Sequence, residues 1–297
     1  MAMNNQLSLE EVLVKLLTNT DGIQERSVDL EKKQGSIEKQ QQILLALKYK
    51  ELAERRGGLP KFSEVEFSSY SQNGEDGILL YIFSLIGTAD KRCLEICAGD
   101  GRESNTANLI INHAWRGLLF DGDEDEVRKG IRFYGNNSGI KAFLRMPPKY
   151  VCAWIKRSNV NDLIQSNGVS GEIDLLSLDL DGIDLWVWDA LNCISPRVVI
   201  VEYNNRWNAE QSVTVPYSDD FDAFSAGGVD INGIGYFGAS LPAYVKVGRS
   251  KGYRLIGSNC INTNAVFMRD DVGLEYFPEV EARSCLTSPF AVYQHKT

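Results

Sequence analysis

Short apolar runs and segments of helical periodicity alternate along the chain from residue 75 onward. Alternation of this kind builds a parallel sheet with helices on both of its faces. Only "CINT" separates the last two apolar runs, and a parallel crossover needs a dozen or more residues, so these two strands must be antiparallel. We therefore predict an α/β fold with a mostly parallel seven-stranded sheet and one antiparallel strand near its edge.

Seven strands and six helices are predicted from residue 75 onward. The strands are predicted at "RCLEICAG", "RGLLFDGD", "KYVCAWI", residues 174–180, "RVVIVEYN", "YRLIGSN" and "NAVFMRD". The helices are predicted over "EDGILLYIFSLIG", "SNTANLIINHA", residues 124–134, "NVNDLIQSN", "DLWVWDALNCI" and "SLPAYVKVGRSKG". The connection over residues 205–237 has no such periodicity and is long for its place, which is typical of a binding loop.

Residues 1–57 differ from the rest of the chain and are predicted to form a separate helical segment. Apolar residues recur there at intervals of seven, which indicates a coiled coil that joins copies of the chain into a homo-oligomer. The alternative is a helix that packs on its own globular domain, residues 58–297. The heptad positions are Leu9, Leu16, Ile23, Leu30, Ile37 and Leu44.

The net charge of −9 and the pI near 4.9 exclude nucleic acid as the main partner, because phosphate binding needs clustered Lys and Arg. No window approaches the ~18 apolar residues of a membrane span, and the first residues lack the pattern of a signal peptide. We therefore expect a cytoplasmic protein without a membrane span. The six cysteines lack CxxC spacing, which favours buried free thiols.

Acidic residues stand at the carboxyl ends of two neighbouring predicted strands. In "LLSLDLDGIDLWVW", Asp179 and Asp181 follow an apolar run, and the period of two places them on one face. Asp184 precedes "LWVWDAL" and is predicted to cap that helix. In "VVIVEYNN", Glu202 and Asn204 end the adjacent strand. Oxygen ligands that converge in this way suit a hard cation such as Mg²⁺.

The first two strands end in a turn and an acid that suit a nucleoside. Gly99 and Gly101 in "LEICAGDGRESNT" permit a tight turn, and Asp121 in "LLFDGDE" can accept both hydroxyls of a ribose, with Asp123 in reserve. The third glycine of a dinucleotide-binding GxGxxG is replaced by Ser104, so a pyrophosphate loop is not indicated. An adenosine crevice without that loop points to S-adenosylmethionine (SAM).

The chain from about residue 70 to residue 270 resembles the class I SAM-dependent methyltransferases, particularly their FkbM-like branch. The resemblance is carried by "YSQNGEDGILLYIF", "LEICAGDGRESNTANLI", "WRGLLFDGDE", "DLLSLDLDGIDLWVW", "VVIVEYN" and "YFGASL". It implies a Rossmann-like methyltransferase fold. One departure is Cys97, which stands where such motifs commonly carry glycine.

The resemblance also implies a set of cofactor contacts. The loop at residues 155–161 would approach the adenine, and Asp121 would hold the ribose. Gln72 and Glu75, in "SQNGEDG", would lie at the methionine end of SAM. The implied SAM-binding residues are Gln72, Glu75, Glu95, Gly99, Asp100, Gly101, Asp121 and Asp179.

The acids are also arranged similarly to those of metal-dependent O-methyltransferases. In that case Asp179, Asp181, Glu202 and Asn204 would hold Mg²⁺, and the first three would be catalytic. The metal would polarise a substrate hydroxyl and lower its pKa. The alternative is a site without metal, in which Asp179 contacts SAM and either Asp181 or Glu202 is the general base.

The long connection supplies candidate substrate contacts with stacking faces and hydrogen-bonding groups, as a sugar requires. They are Arg206, Trp207, Tyr217 and Tyr236. We therefore predict an O-methyltransferase for a hydroxyl of a sugar, nucleotide sugar or glycan, and the resemblance implies polysaccharide or natural-product biosynthesis. The alternatives are a methyltransferase for a polyketide or other small natural product, and a catalytically silent assembly subunit.

Overall fold

The computed structural model describes residues 38–55, 58–137, 147–222, 237–289 and 291. The chain divides into two units, Met1–Lys48 and Tyr49–Thr297. Residues 38–54 form a helix, α1, and residues 1–37 and 56–57 of the predicted coiled coil lie outside the described residues. The coiled coil and its boundary at residue 57 therefore stay predictions.

Seven strands form one sheet in the order β3-β2-β1-β4-β5-β7-β6. All neighbours pair in parallel except β7, which is antiparallel to both β5 and β6. The predicted fold class, a mostly parallel seven-stranded Rossmann-like sheet with one antiparallel strand, is confirmed. The strands are β1 (Arg92–Ile96), β2 (Arg116–Asp121), β3 (Lys149–Cys152), β4 (Gly171–Leu178), β5 (Ile194–Glu202), β6 (Tyr253–Ser258) and β7 (Asn264–Arg269).

Helices in the described part of the chain cover both faces of this sheet. Three pack on one face around Leu79, Leu109 and Tyr134, and three on the other around Ile164, Trp188 and Tyr244. No helix in the described part of the chain is long and apolar enough to cross a bilayer. The helices are α2 (Glu75–Ile86), α3 (Ala107–His113), α4 (Glu124–Asn137), α5 (Val160–Ser166), α6 (Asp184–Ala190) and α7 (Leu241–Ser250).

The strand order fixes where a ligand can enter. The connection after β1 leads outward to β2, whereas the connection after β4 leads to β5 on the opposite side. In open α/β sheets a crevice forms outside the carboxyl ends of the two strands at which this direction changes. Here these strands are β1 and β4.

A buried acid on β4 is fully compensated. The Asp174 carboxylate accepts hydrogen bonds from the backbone N–H groups of Ala89, Asp90 and Lys91 at 2.7, 3.0 and 2.7 Å, and from Arg197 Nη1 at 2.8 Å. Burial alone would raise the pKa of Asp174, but these donors outweigh it and lower the pKa below its usual value. This acid joins β4, β5 and the loop before β1.

The structure corrects the predicted extent of β4 and the role of Asp184. The strand ends at Leu178, so Asp179 and Asp181 lie in the following loop and the period of two does not apply to them. Asp184 is the first residue of α6, whose N-cap is Ile183. The predicted cap is therefore wrong by one position, because the Asp184 carboxylate bonds backward to the loop instead.

The predicted burial of the cysteines is also wrong in part. The described structure contains all six as free thiols, but Cys97, Cys152 and Cys260 are exposed. Cys97 lies one residue beyond β1, so it does not share a strand face with the buried Cys93.

Candidate functional site

Three carboxylates meet at the carboxyl edge of β4 and β5. Asp179, Asp181 and Glu202 each present an oxygen atom, and these atoms lie within 4.8 Å of one another. Asp179 and Glu202 are half-buried, and Asp181 is exposed. We call these three residues the carboxylate cluster.

The charge of this cluster is poorly compensated. Burial raises the pKa of Asp179, and the nearby charges of Asp184 and Asp181 raise it further. Burial and then the charge of Asp179 raise the pKa of Glu202 in the same way. Carboxylates this close together cannot all ionise freely, so one of them retains a proton unless a cation binds.

The loop that carries Asp181 is strained at that residue. Asp181 has φ +53°, a left-handed conformation that non-glycine residues adopt at a cost of about 1–2 kcal/mol. We call residues 179–183, between β4 and α6, the acid loop. Strain of this kind persists only where surrounding contacts enforce it, and it is often found at functional sites.

Asn204 follows β5 as predicted, but both ends of its amide bind the protein. Its Nδ2 donates to the Phe237 carbonyl at 3.0 Å, and its Oδ1 accepts the Arg206 N–H at 3.1 Å. The side chain is buried and fixes the chain that leaves the strand. Its role as a metal ligand stays a prediction.

The turn after β1 has the geometry that its glycines predict. Gly99 and Gly101 have φ +52° and +73°, and a Cβ at Gly101 would lie 2.6 Å from the Tyr134 ring. Cys97 has φ +63°, so the position where glycine is common does require left-handed backbone here. The Gly99 N–H donates to Asp121 Oδ2 at 2.8 Å, which ties this turn to the end of β2.

A cavity of about 640 Å³ opens beside this turn. Asp121 from the end of β2 and Asp181 from the acid loop both line it, so it adjoins the carboxylate cluster. Ile155 and Lys156 also line it, which places part of the predicted adenine loop at this cavity. The described residues that line it are Ile96, Cys97, Phe120, Asp121, Gly122, Ala153, Trp154, Ile155, Lys156, Leu180, Asp181, Ile183, Asp219, Asp220, Phe221 and Asp222.

Seven of the eight predicted cofactor residues, all except Asp121, are absent from the described lining of this cavity. Glu95 is buried and accepts hydrogen bonds from the Ser104 and Thr106 hydroxyls, both at 2.5 Å, so it anchors the turn before α3. Asp100 pairs with Arg102, their charged groups 3.3 Å apart. Their roles in binding SAM stay predictions.

Gln72 and Glu75, which are also absent from this lining, lie before and in α2. The Gln72 amide donates to Glu103 at 2.7 Å. Glu75 is buried, and its Oε1 accepts the side-chain amides of Asn259 and Asn264 at 2.8 and 2.7 Å. Because Asn264 lies opposite Glu202 in the β5–β7 pair, Glu75 stands near the carboxylate cluster rather than at the cavity.

The predicted substrate residues are dispersed. Arg206 and Trp207 lie four and five residues after the end of β5, and Trp207 is 36% exposed. The Tyr217 hydroxyl accepts the Arg157 N–H at 3.0 Å and donates to Asp219, so it holds two segments of the protein together. Tyr236 lies outside the described residues.

Residues 217–222, which we call the strap, form one wall of the cavity. Lys156 Nζ lies 3.8 Å from Asp219 and 3.6 Å from Asp220. Phe221 packs so closely on the acid loop that a Cβ at Gly182 would lie 2.3 Å from its ring. The sequence analysis did not predict that these residues line the cavity. The signal in the sequence was the acidic stretch "YSDDFD" within an unusually long connection.

Trp154 is a second residue that the sequence analysis missed. Its side chain is 71% exposed although it lines the cavity, and a Cβ at Gly122 would lie 2.3 Å from its ring. Glycine at position 122 therefore gives the indole room to cover the end of β2. The exposed ring offers a flat apolar face at the cavity mouth.

Comparison with known proteins finds similarity only among solved structures. No family model and no curated protein matches the sequence. The methyltransferase that acts on magnesium protoporphyrin IX in Synechocystis PCC 6803, solved with bound SAM, has a TM-score of 0.40 and 10% identity; the match covers 66% of this chain and 77% of that chain.

Two further structures are similar at the same level. A SAM-dependent methyltransferase from Clostridium acetobutylicum ATCC 824 has a TM-score of 0.42 and 10% identity, over 76% of this chain and 97% of its own. An O-methyltransferase family protein from Burkholderia thailandensis has a TM-score of 0.38 and 13% identity, over 66% and 59%. These likenesses concern the fold and assign no activity to this chain.

Proposed function

We propose that this protein is a SAM-dependent O-methyltransferase that methylates a hydroxyl of a sugar, nucleotide sugar or glycan with the help of a divalent cation. One observation carries the proposal: Asp181 belongs to the carboxylate cluster and also lines the adjoining cavity. A cation-binding site and a small-molecule site therefore share one residue, at the sheet edge where open α/β folds bind ligands.

The cavity suits the cofactor. Its volume of about 640 Å³ lies within the ~300–1,000 Å³ typical of small-molecule sites. Asp121 accepts one backbone N–H on each oxygen, from Gly99 and Asp123 at 2.8 and 2.9 Å, which leaves each oxygen a lone pair for a ribose hydroxyl. The exposed face of Trp154 can stack on adenine. SAM, when bound, supplies the methyl group.

The carboxylate cluster suits a hard divalent cation. All three donors are carboxylates, and their negative charge is otherwise poorly compensated. Mg²⁺ binds oxygen at about 2.0–2.1 Å and keeps several waters, so two or three protein oxygens suffice. Such an ion, when bound, lowers the pKa of a coordinated hydroxyl. Asp179, Asp181 and Glu202 would hold it.

The chain itself would orient the acceptor and receive its proton. Asp181 is exposed at the boundary between cluster and cavity, so its carboxylate is placed to accept the proton of a hydroxyl that reacts there. Arg206 and Trp207 lie in the segment that follows β5, and Trp207 offers a partly exposed face for a sugar ring. The FkbM-like resemblance supports the choice of a carbohydrate acceptor.

Calorimetry tests the cofactor part of the proposal. The intact chain should bind SAM, and Asp121→Asn should weaken this binding at least tenfold, because a ribose contact is lost. Asp123→Asn is the matched control, because Asp123 accepts backbone N–H groups of α4 and does not line the cavity. Absence of measurable SAM binding, with and without Mg²⁺, would refute the methyltransferase proposal.

Chelation tests the metal part. Methyl transfer from SAM to a panel of sugars, nucleotide sugars and glycans should stop in EDTA and return with excess Mg²⁺, whereas Asp181→Ala should not be restored. Full turnover in EDTA would refute metal assistance but leave the methyltransferase proposal standing. Transfer only to small phenolic or polyketide acceptors would favour the natural-product alternative.

We also propose that residues 1–57 join copies of the chain. The heptad of apolar residues supports this role. Deletion of these residues should lower the number of protomers that light scattering measures, and an unchanged number would refute the proposal.

A further inference from the structure

One buried side chain, that of Asp184, forms hydrogen bonds with the acid loop. Asp184 is 1% exposed, and its two carboxylate oxygens accept different backbone N–H groups of the loop. Oδ1 accepts the Leu180 N–H at 2.5 Å, and Oδ2 accepts the Gly182 N–H at 3.0 Å. These two donors flank Asp181 on either side in the chain.

The strap contacts the same loop through Phe221. The Phe221 ring lies against Gly182, where a Cβ would approach it to 2.3 Å. Between these two contacts, Asp181 keeps its left-handed φ of +53°. The strained residue is therefore the one whose neighbours on both sides are fixed by Asp184.

We infer that Asp184 is a positioning residue of the proposed cation site: its carboxylate holds the Leu180 and Gly182 amides so that Asp181 faces both the carboxylate cluster and the cavity. The inference rests on the proposed function. Asp184 is suited to the task because an ionised carboxylate accepts two backbone hydrogen bonds on separate oxygens, which a neutral amide cannot do. Partners that orient metal ligands in this way commonly change metal affinity 10–100-fold when mutated.

Asp184→Asn tests the inference, because it preserves side-chain shape and removes one acceptor. Mg²⁺ binding to the full chain, measured by calorimetry, should weaken at least tenfold. Asp174→Asn is the matched control: Asp174 is also a buried carboxylate that accepts backbone N–H groups on both oxygens, from Ala89 on Oδ1 and Lys91 on Oδ2, each at 2.7 Å. This control should bind Mg²⁺ within twofold of the parent chain.

Amide hydrogen exchange without metal tests the same inference independently. In the parent chain the Leu180 and Gly182 amides should be protected, and Asp184→Asn should accelerate their exchange at least tenfold while β4 amides change little. If Asp184→Asn does not fold, Gly182→Ala provides the second variant, because its Cβ displaces the loop from Phe221. That variant should also lose Mg²⁺ affinity.

The outcomes separate this inference from the proposed function. Absence of Mg²⁺ binding to the parent chain would refute the proposed cation site, and with it the inference. If the parent chain binds Mg²⁺ and Asp184→Asn binds it equally well, only the inference is overturned. It is also overturned if Asp174→Asn loses as much affinity as Asp184→Asn, or if exchange at Leu180 and Gly182 is unchanged.

Discussion

Acids occur within β4 and just beyond its carboxyl end, and their carboxylates have different surroundings. Asp174, within the strand, is buried with three backbone N–H donors and the Arg197 guanidinium around its carboxylate. Asp179 and Asp181, just beyond its carboxyl end, face each other and Glu202. The first acid has a lowered pKa, whereas the pKa values of all three cluster acids are raised.

At β4 this difference separates an acid that stabilises the fold from the acids that we propose bind a cation. A buried carboxylate with enough donors contributes to stability as it stands. Half-buried carboxylates that lack compensation cost stability until a proton or cation arrives. The cluster at the end of β4 therefore costs the metal-free fold stability, and the proposed cation would recover it.

The largest effect is expected at the compensated acid. Asp174→Ala leaves the Arg197 guanidinium, whose side chain is only 13% exposed, without its acidic partner. Breaking a buried ion pair in this way costs about 3–5 kcal/mol, which urea denaturation measures. Asp162→Ala, at an exposed position on α5, should change stability by less than about 0.5 kcal/mol. A loss below about 1 kcal/mol at Asp174 would show that compensation does not distinguish the two places.

A slightly smaller effect is expected from cation binding at the cluster. At one hundred times its dissociation constant, Mg²⁺ should stabilise the fold by about 2.7 kcal/mol, because it binds only the folded chain. Glu202→Gln should abolish this gain, while Asp174→Asn should retain it. Equal stabilisation of the Glu202→Gln variant in thermal denaturation would contradict the assignment of the cluster as the cation site.

The pH dependence of the metal-free fold should show both kinds of acid. The cluster carboxyls have raised pKa values, so their contribution is fully present below about pH 4 and is lost as pH rises through the folded pKa. Asp174 has a lowered pKa, so its contribution is present above about pH 4 and is lost as pH falls through the folded value.

Metal-free stability should therefore peak in mildly acidic solution and fall by about 1–2 kcal/mol between pH 5 and pH 8. Mg²⁺ should remove the fall on the alkaline side and leave the acidic side unchanged. Urea denaturation across this pH range measures both limbs. A metal-free profile that rises steadily from pH 5 to pH 8 would mean that the cluster acids are as well compensated as Asp174.

The smallest effect concerns the strained backbone of the cluster. Asp181→Gly and Asp181→Ala both remove the carboxylate, but only glycine adopts φ +53° without cost. The glycine variant should be more stable than the alanine variant by about 1 kcal/mol. Equal melting temperatures would indicate that the acid loop relaxes and that Asp184 does not enforce its shape.

Most of the sheet could be predicted from the sequence because its strands are long apolar runs between helices of clear periodicity. All seven strands lie where they are predicted, and the short "CINT" connection correctly predicts the antiparallel pair. The prediction was less accurate at strand ends. It extended β4 two residues too far, because Asp179 and Leu180 continue the apolar–polar alternation after pairing with β5 has ended.

The candidate site could be predicted only in part. Acids at neighbouring strand ends correctly indicated that Asp179, Asp181 and Glu202 come together. The partners of Asp174, Asp184 and Glu75 could not be predicted, because they lie in loops or at distant sequence positions. No local pattern in the sequence specifies such tertiary hydrogen bonds.

The hydrogen bonds of Glu75 have a consequence for the order of folding. This residue, at the start of α2, accepts amides from Asn259 and Asn264, which follow it by 184 and 189 residues. Asn264 begins β7, the strand that pairs with β5 beside Glu202. During synthesis, the hydrogen bond between Glu75 and Asn264, which lies opposite Glu202, cannot form until nearly the whole domain has left the ribosome. The carboxylate cluster should consequently be among the last parts of the molecule to form, and a nascent chain that stops before β7 should fold locally without acquiring the site.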